Sequence, residues 1–148
     1  MLLFQSGRFY VGKSSFTLPD GSIINTIPDV QPEAGMVFFP SSEEYSVNLN
    51  YEYDEEENAE SSLNHVLSDF RVPSKAMPVL FENASGWESI YDCSDSSIYE
   101  VHVDVNQDSV LGENRNVLVV FVLAPLGSDM GRIRNSDYMQ SLLNSIEQ

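Results

Sequence analysis

The longest apolar run in the chain lies between Asn116 and Pro125, NVLVVFVLAP, where Val117 to Val122 are all apolar. A β-branched and aromatic run closed by a proline predicts a strand buried on both faces and central in a sheet, because a buried helix normally runs longer. Phe121 is expected in the core, so Phe121→Ala should cost about 3 to 5 kcal/mol. Two other stretches alternate strictly. Val47, Leu49, Tyr51 and Tyr53 are spaced by Asn48, Asn50 and Glu52, and Tyr99, Val101, Val103 and Val105 by Glu100, His102 and Asp104. That period of two predicts strands with one face in water, which places His102 on a wet face.

Helical spacing appears twice. Leu63, Val66, Leu67 and Phe70 fall at i, i+3, i+4 and i+7, predicting a helix over 59–70 capped by Asn58 and ended before Pro73. Tyr138, Met139, Leu142, Leu143 and Ile146 predict a second over 136–147, with Ser136 as cap and Asp137 in the first turn. Shorter strands are predicted at Phe9 to Val11, Phe16 to Leu18, Met36 to Phe39, Val79 to Phe81 and Gly86 to Tyr91. Pro19-Asp20-Gly21 reads as a tight turn, Pro28 to Gly35 as irregular chain and Gly127 to Gly131 as a loop. The link Asn106 to Asn116 reads as the loop of an antiparallel hairpin. The prediction is one α+β domain over residues 1–148, a single antiparallel sheet covered by two helices.

Charge narrows the range of partners. Seven Lys and Arg stand against 23 Asp and Glu, a formal charge of −16. Such a surface repels phosphate backbones and anionic lipid, so neither nucleic acid nor a membrane is expected as partner. No Lys or Arg occurs between Lys13 and Arg71, an interval holding twelve acids. Its densest part, Glu52, Asp54, Glu55, Glu56, Glu57 and Glu60, is the candidate surface for a basic partner protein. The simpler reading is a solvated turn whose acids suit the N-terminus of the following helix. Cys93 is the lone cysteine, which fits a reducing compartment such as the cytoplasm, and neither a signal peptide nor a membrane span is expected.

The Phe16-Thr17-Leu18-Pro19-Asp20-Gly21 opening, a strand leading into one helix, a meander of strands and a closing helix with Asp137, Tyr138, Ser141, Leu142, Leu143 and Ile146 are similar to the DcrB-like and PsbP-like group. The resemblance spans most of the chain and rests on order and spacing. It implies a non-enzymatic protein that binds other proteins, some members resembling chaperones of bacterial secretion effectors, and it carries no catalytic residues. The proline-broken Pro28 to Gly35 segment and the glutamate run depart from the group's pattern.

Other candidates for chemistry are few. Asp104-x-Asn106-x-Asp108 spaces oxygens like a calcium loop, but Ser109 stands where glycine is needed and Arg115 where a bidentate acid is needed. His65 and His102 would have to converge with acids to hold zinc or move protons. Cys93 sits among Asp92 and Asp95, whose charge raises its pKa and blunts it as a nucleophile. Trp87, Tyr91 and Tyr99 read as core, with a pocket or interface as the alternative. No metal, cofactor or catalytic set is therefore expected. The leading expectation is a non-catalytic protein-binding module, a chaperone or adaptor. The alternatives are an acidic immunity-type inhibitor of a basic toxin and, less favoured, a small metal-dependent hydrolase.

Overall fold

The structure, a computed structural model, describes residues 2–11, 14–25, 35–54, 58–105 and 115–148. Strands β1 (Leu2–Gln5), β2 (Arg8–Val11), β3 (Ser14–Phe16), β4 (Ile23–Asn25), β5 (Gly35–Phe39) and β6 (Ser46–Asp54) lead to helix α1 (Ala59–Asp69). Strands β7 (Met77–Leu80), β8 (Ser85–Asp92), β9 (Ser96–Val105) and β10 (Arg115–Pro125) follow, then helices α2 (Met130–Arg134) and α3 (Asp137–Ser145). The chain is α+β, and its main sheet is antiparallel with seven strands in the order β4-β5-β6-β10-β9-β8-β7.

The apolar run is β10, and it occupies the middle of that sheet between β6 and β9. Its alternate residues feed two layers. Leu118, Val120 and Val122 join Val101, Val103, Leu142 and Leu143 on one side, while Val117 and Val119 pack with Ala59 on the other. Phe121 differs from expectation: its ring is half-buried at the margin of the α1 side.

Helix α1 forms where predicted. Asn58 Oδ1 accepts from Ser61 N at 2.9 Å, and Ser61 Oγ accepts from Asn58 N at 2.9 Å, closing a reciprocal cap. Its buried stripe is displaced from the predicted one: Ala59, Ser62, Leu63 and Leu67 face the sheet, whereas Phe70 ends the helix exposed against Tyr91. The closing helix stops at Ser145 because Ile146 is extended and Glu147 bridges Ser15, with both backbone bonds at 2.8 Å.

The single sheet expected from the sequence is two sheets. β1, β2 and β3 form a separate three-stranded unit, turned at Ser6 and Gly7, both with positive φ as a two-residue hairpin of this hand requires. It caps the α3 side: Phe16 is buried in the larger core with Phe9 stacked on it, and Arg8 donates to the Ser145 carbonyl at 2.6 Å. A third helix, α2, which the sequence did not predict, begins within the last two residues of the expected Gly127 to Gly131 loop, started by Asp129 accepting from Arg132 N at 3.1 Å. Arg134 then grips Glu88 with two bonds of 2.7 and 2.8 Å, tying α2 to β8. Most of the Pro28 to Gly35 segment and of the Asn106 to Asn116 link lies outside the described residues. Among the described residues no helix is long and apolar enough to cross a membrane.

Leu118 is enclosed and Phe121 is not, so the two truncations should separate in equilibrium urea unfolding. Leu118→Ala is expected to lose about 2 to 5 kcal/mol and Phe121→Ala distinctly less; equal losses would show that the Phe121 ring is as enclosed as Leu118.

Candidate functional site

The α1 side of the sheet carries the side chains of Glu100, His102 and Asp104 of β9. Backbone register sets Glu52 of β6 opposite Val117 of β10, and Val117 opposite Asp104 of β9, so two acidic positions share one row across three strands. Asp54 follows two residues along β6, opposite Arg115. Asp104 Oδ1 accepts from Ala59 N at 2.9 Å, which pins the start of α1 to this row, and Glu60 is exposed in the first turn. Glu55, Glu56 and Glu57 lie outside the described residues. Four of the described elements therefore meet at an acidic end of the sheet: β6, β10, β9 and the beginning of α1.

Beside that row the strand prediction fails in an informative way. His102 is fully buried, as is Glu100, because α1 lies over β8 and β9 and covers the face that alternation assigns to water. Nε2 of His102 meets a Glu100 carboxylate oxygen, and the other oxygen accepts from Tyr91 Oη at 2.7 Å. On the far side of the ring Nδ1 lies 2.6 Å from Ser62 Oγ, itself 3.1 Å from the Ala59 carbonyl. One proton lies between Nε2 and Glu100, and Ser62 Oγ can either donate to Nδ1 or accept from it while turning its own proton to Ala59, so every polar atom of the chain has a partner.

A serine, a histidine and a glutamate in line are the parts of a hydrolytic relay. Here none of Ser62, His102, Glu100 and Tyr91 is more than 5% exposed. The serine faces the sheet from under its own helix, so the arrangement fastens α1 to β9 and leaves no room beside Oγ for a reacting carbonyl. Gly86 marks how close the strands run at this point: a Cβ there would lie 2.6 Å from the His102 carbonyl oxygen.

The remaining candidates scatter. His65 is exposed on α1, 3.5 Å from Asp69. Cys93 is half-buried at the β8–β9 turn, and burial, then Asp95, Glu100 and Asp92, pushes its thiol up, away from reactivity. Asn106 and Asp108 of the calcium-like spacing lie outside the described residues, and Asp104 is the strand residue that holds α1. Among the described residues no three His, Cys, Asp or Glu side chains converge as metal ligands would. Tyr99 is fully buried and donates to Glu88 at 2.5 Å on the opposite face.

Trp87 is different. It pairs with His102, is only half-buried, and lines a cleft of about 360 Å³ with Pro78, Leu80, Asp104 and Gln148. The outer strand β7 supplies the rim, where Leu80 is 85% exposed. Pattern alone hid this cleft, since it depends on β7 folding back beside β8. No family model matches the chain, and no curated protein matches its sequence.

Two outcomes follow from the buried chain. His102→Ala leaves the buried Glu100 without its imidazole partner and opens a cavity, and should cost about 3 to 5 kcal/mol in thermal or urea unfolding, whereas Ser62→Ala should cost about 1 kcal/mol. A His102→Ala loss no larger than that of Ser62→Ala would show that the His102–Glu100 contact contributes little to holding the fold. Burial above all, with Glu100 beside Tyr91 and Glu88 beside Tyr99, pushes both phenol groups above their ordinary value near 10. Their protonated forms favour the fold, so that contribution is complete below the unfolded value and is lost as pH rises from there toward the folded values. Alkaline titration followed by tyrosinate absorbance and circular dichroism should show Tyr91 and Tyr99 ionising only with unfolding, and Tyr99→Phe removing part of that steep step.

Proposed function

We propose that the protein is a non-catalytic binding module that takes a basic protein partner on the acidic end of its sheet, around Glu52, Asp54, Glu60, Asp104 and the adjoining Glu55, Glu56 and Glu57. The observation that carries this reading is the Glu52–Val117–Asp104 row with the start of α1 tied to it. Arg115, opposite Asp54, is the cation placed at this end among the described residues, against a chain total of −16. Arg8, Arg132 and Arg134 pair with Glu147, Glu44 and Glu88 on elements of the other side. The partner is met in a reducing compartment, the cytoplasm, which suits one unpaired cysteine.

The resemblance to the DcrB-like and PsbP-like group belongs to the same proposal. β6 leading into α1, the meander β7 to β10 and the closing α3 support that order of elements, and with it the role of chaperone or adaptor. An immunity-type inhibitor is the version in which the partner is a basic toxin, and it is recognised by loss of the partner's activity on binding.

A steered encounter is fast at low salt and slows as charges are screened, the screening length being about 10 Å near 0.1 M. With a partner recovered by pull-down and mass spectrometry, the association rate should fall steeply with ionic strength. The variant carrying Glu55→Gln, Glu56→Gln and Glu57→Gln should associate several-fold more slowly at low salt, with circular dichroism and urea unfolding checking that its fold and stability are unchanged. Equal low-salt rates for the variant and the unaltered protein would remove the acidic run from recognition.

A further inference from the structure

We propose that the Trp87 cleft is a seat for one arginine side chain of the partner, an inference that rests on the binding reading above and gives it a specific anchor. The cleft combines an aromatic wall, an aliphatic rim and a carboxylate. Trp87 pairs with His102, and Asp104 lies two residues further along β9 on the same face. Diagonal neighbours of this kind are about 7 Å apart. A guanidinium laid on the indole spans that distance and reaches the carboxylate with its edge, while its methylenes run past Pro78 and Leu80. Arginine suits this better than lysine, whose compact ammonium is more strongly hydrated and cannot stack and bond bidentately at once.

The charge of the surroundings points the same way. Asp104 is exposed even though one oxygen holds Ala59 N, Glu60 opens α1 next to it, and Glu52 shares its row. The side-chain amide of Gln148 braces the floor, donating to the Asp104 carbonyl at 2.8 Å and accepting from Ser85 N at 3.0 Å. A large, exposed Leu80 at the mouth of an acidic cleft has no folding role to explain it, but it would cover the stem of a long cationic side chain.

Trp87 is the only tryptophan in the chain, so its fluorescence reports the cleft directly. The test titrates the full chain at low salt with a short capped glycine–serine peptide carrying three arginines, and with matched peptides carrying lysine or norleucine. The arginine peptide should change Trp87 emission saturably, bind several-fold more tightly than the lysine peptide, and leave the norleucine peptide inert. Asp104→Asn keeps an oxygen to accept from Ala59 N while removing the charge, and should weaken arginine-peptide binding about tenfold; Leu80→Ser should weaken it about threefold. Circular dichroism confirms that both variants fold. Binding of the arginine peptide, seen by calorimetry, with Trp87 emission unchanged and Asp104→Asn without effect would overturn the cleft and leave the acidic-surface reading standing. Absence of salt-sensitive binding by either cationic peptide, together with a native partner whose association ignores salt, would overturn both.

Discussion

A strand that is apolar on both faces cannot stop at one covering layer. β10 demands burial above and below, and the rest of the chain is distributed accordingly: α1 on one side, α2, α3 and the three-stranded sheet on the other. Antiparallel sheets often leave one face wet. Here β9 inherits the double covering from its neighbour, and that inheritance explains why polar residues on its α1 face had to find partners inside the protein.

The Ser62–His102–Glu100–Tyr91 chain is best understood as a device for placing α1. Burying an acid and an imidazole is unfavourable unless each is bonded, and well-packed apolar residues would serve stability at least as well. What the polar chain adds is selectivity among positions: sliding α1 by one turn would break the Ser62 bond and leave Nδ1 of the buried His102 without that partner, while Nε2 stays on Glu100 of the same strand. The same registration sets Asp104 against Ala59 N and so fixes the geometry of the acidic end.

Most of the architecture was legible in the amino-acid pattern. The central position of β10, the β9–β10 hairpin, β6, and the caps Asn58 and Ser136 follow from runs, alternation and end signals. The failures have physical causes. Glu100 and His102 obey the alternation of a half-wet strand, and only the phase of Ala59 and Ser62 on α1 hints that a helix lies over them. The three-stranded sheet rests on a two-residue Ser6–Gly7 turn and on contacts with Ser145 and Glu147, which no local pattern encodes. The acidic end was visible as composition. The cleft was not, because Trp87, Asp104 and Gln148 come from separate parts of the chain.

The clasp between β3 and the segment after α3 bears on how the molecule assembles. Arg8 and Ser145 are 137 residues apart in sequence, and Thr17 and Ser145 are 128 apart. Closing loops of that length is slow and is rewarded only once the intervening sheet exists to hold both ends near each other. None of the pairings of the main sheet uses the clasp, so that sheet is complete without it, while the amino-terminal strands are hydrogen-bonded to the rest of the fold by way of Ser145 and Glu147. During synthesis the partners of Arg8, Ser15 and Thr17 at Ser145 and Glu147 are thus among the last residues to be made.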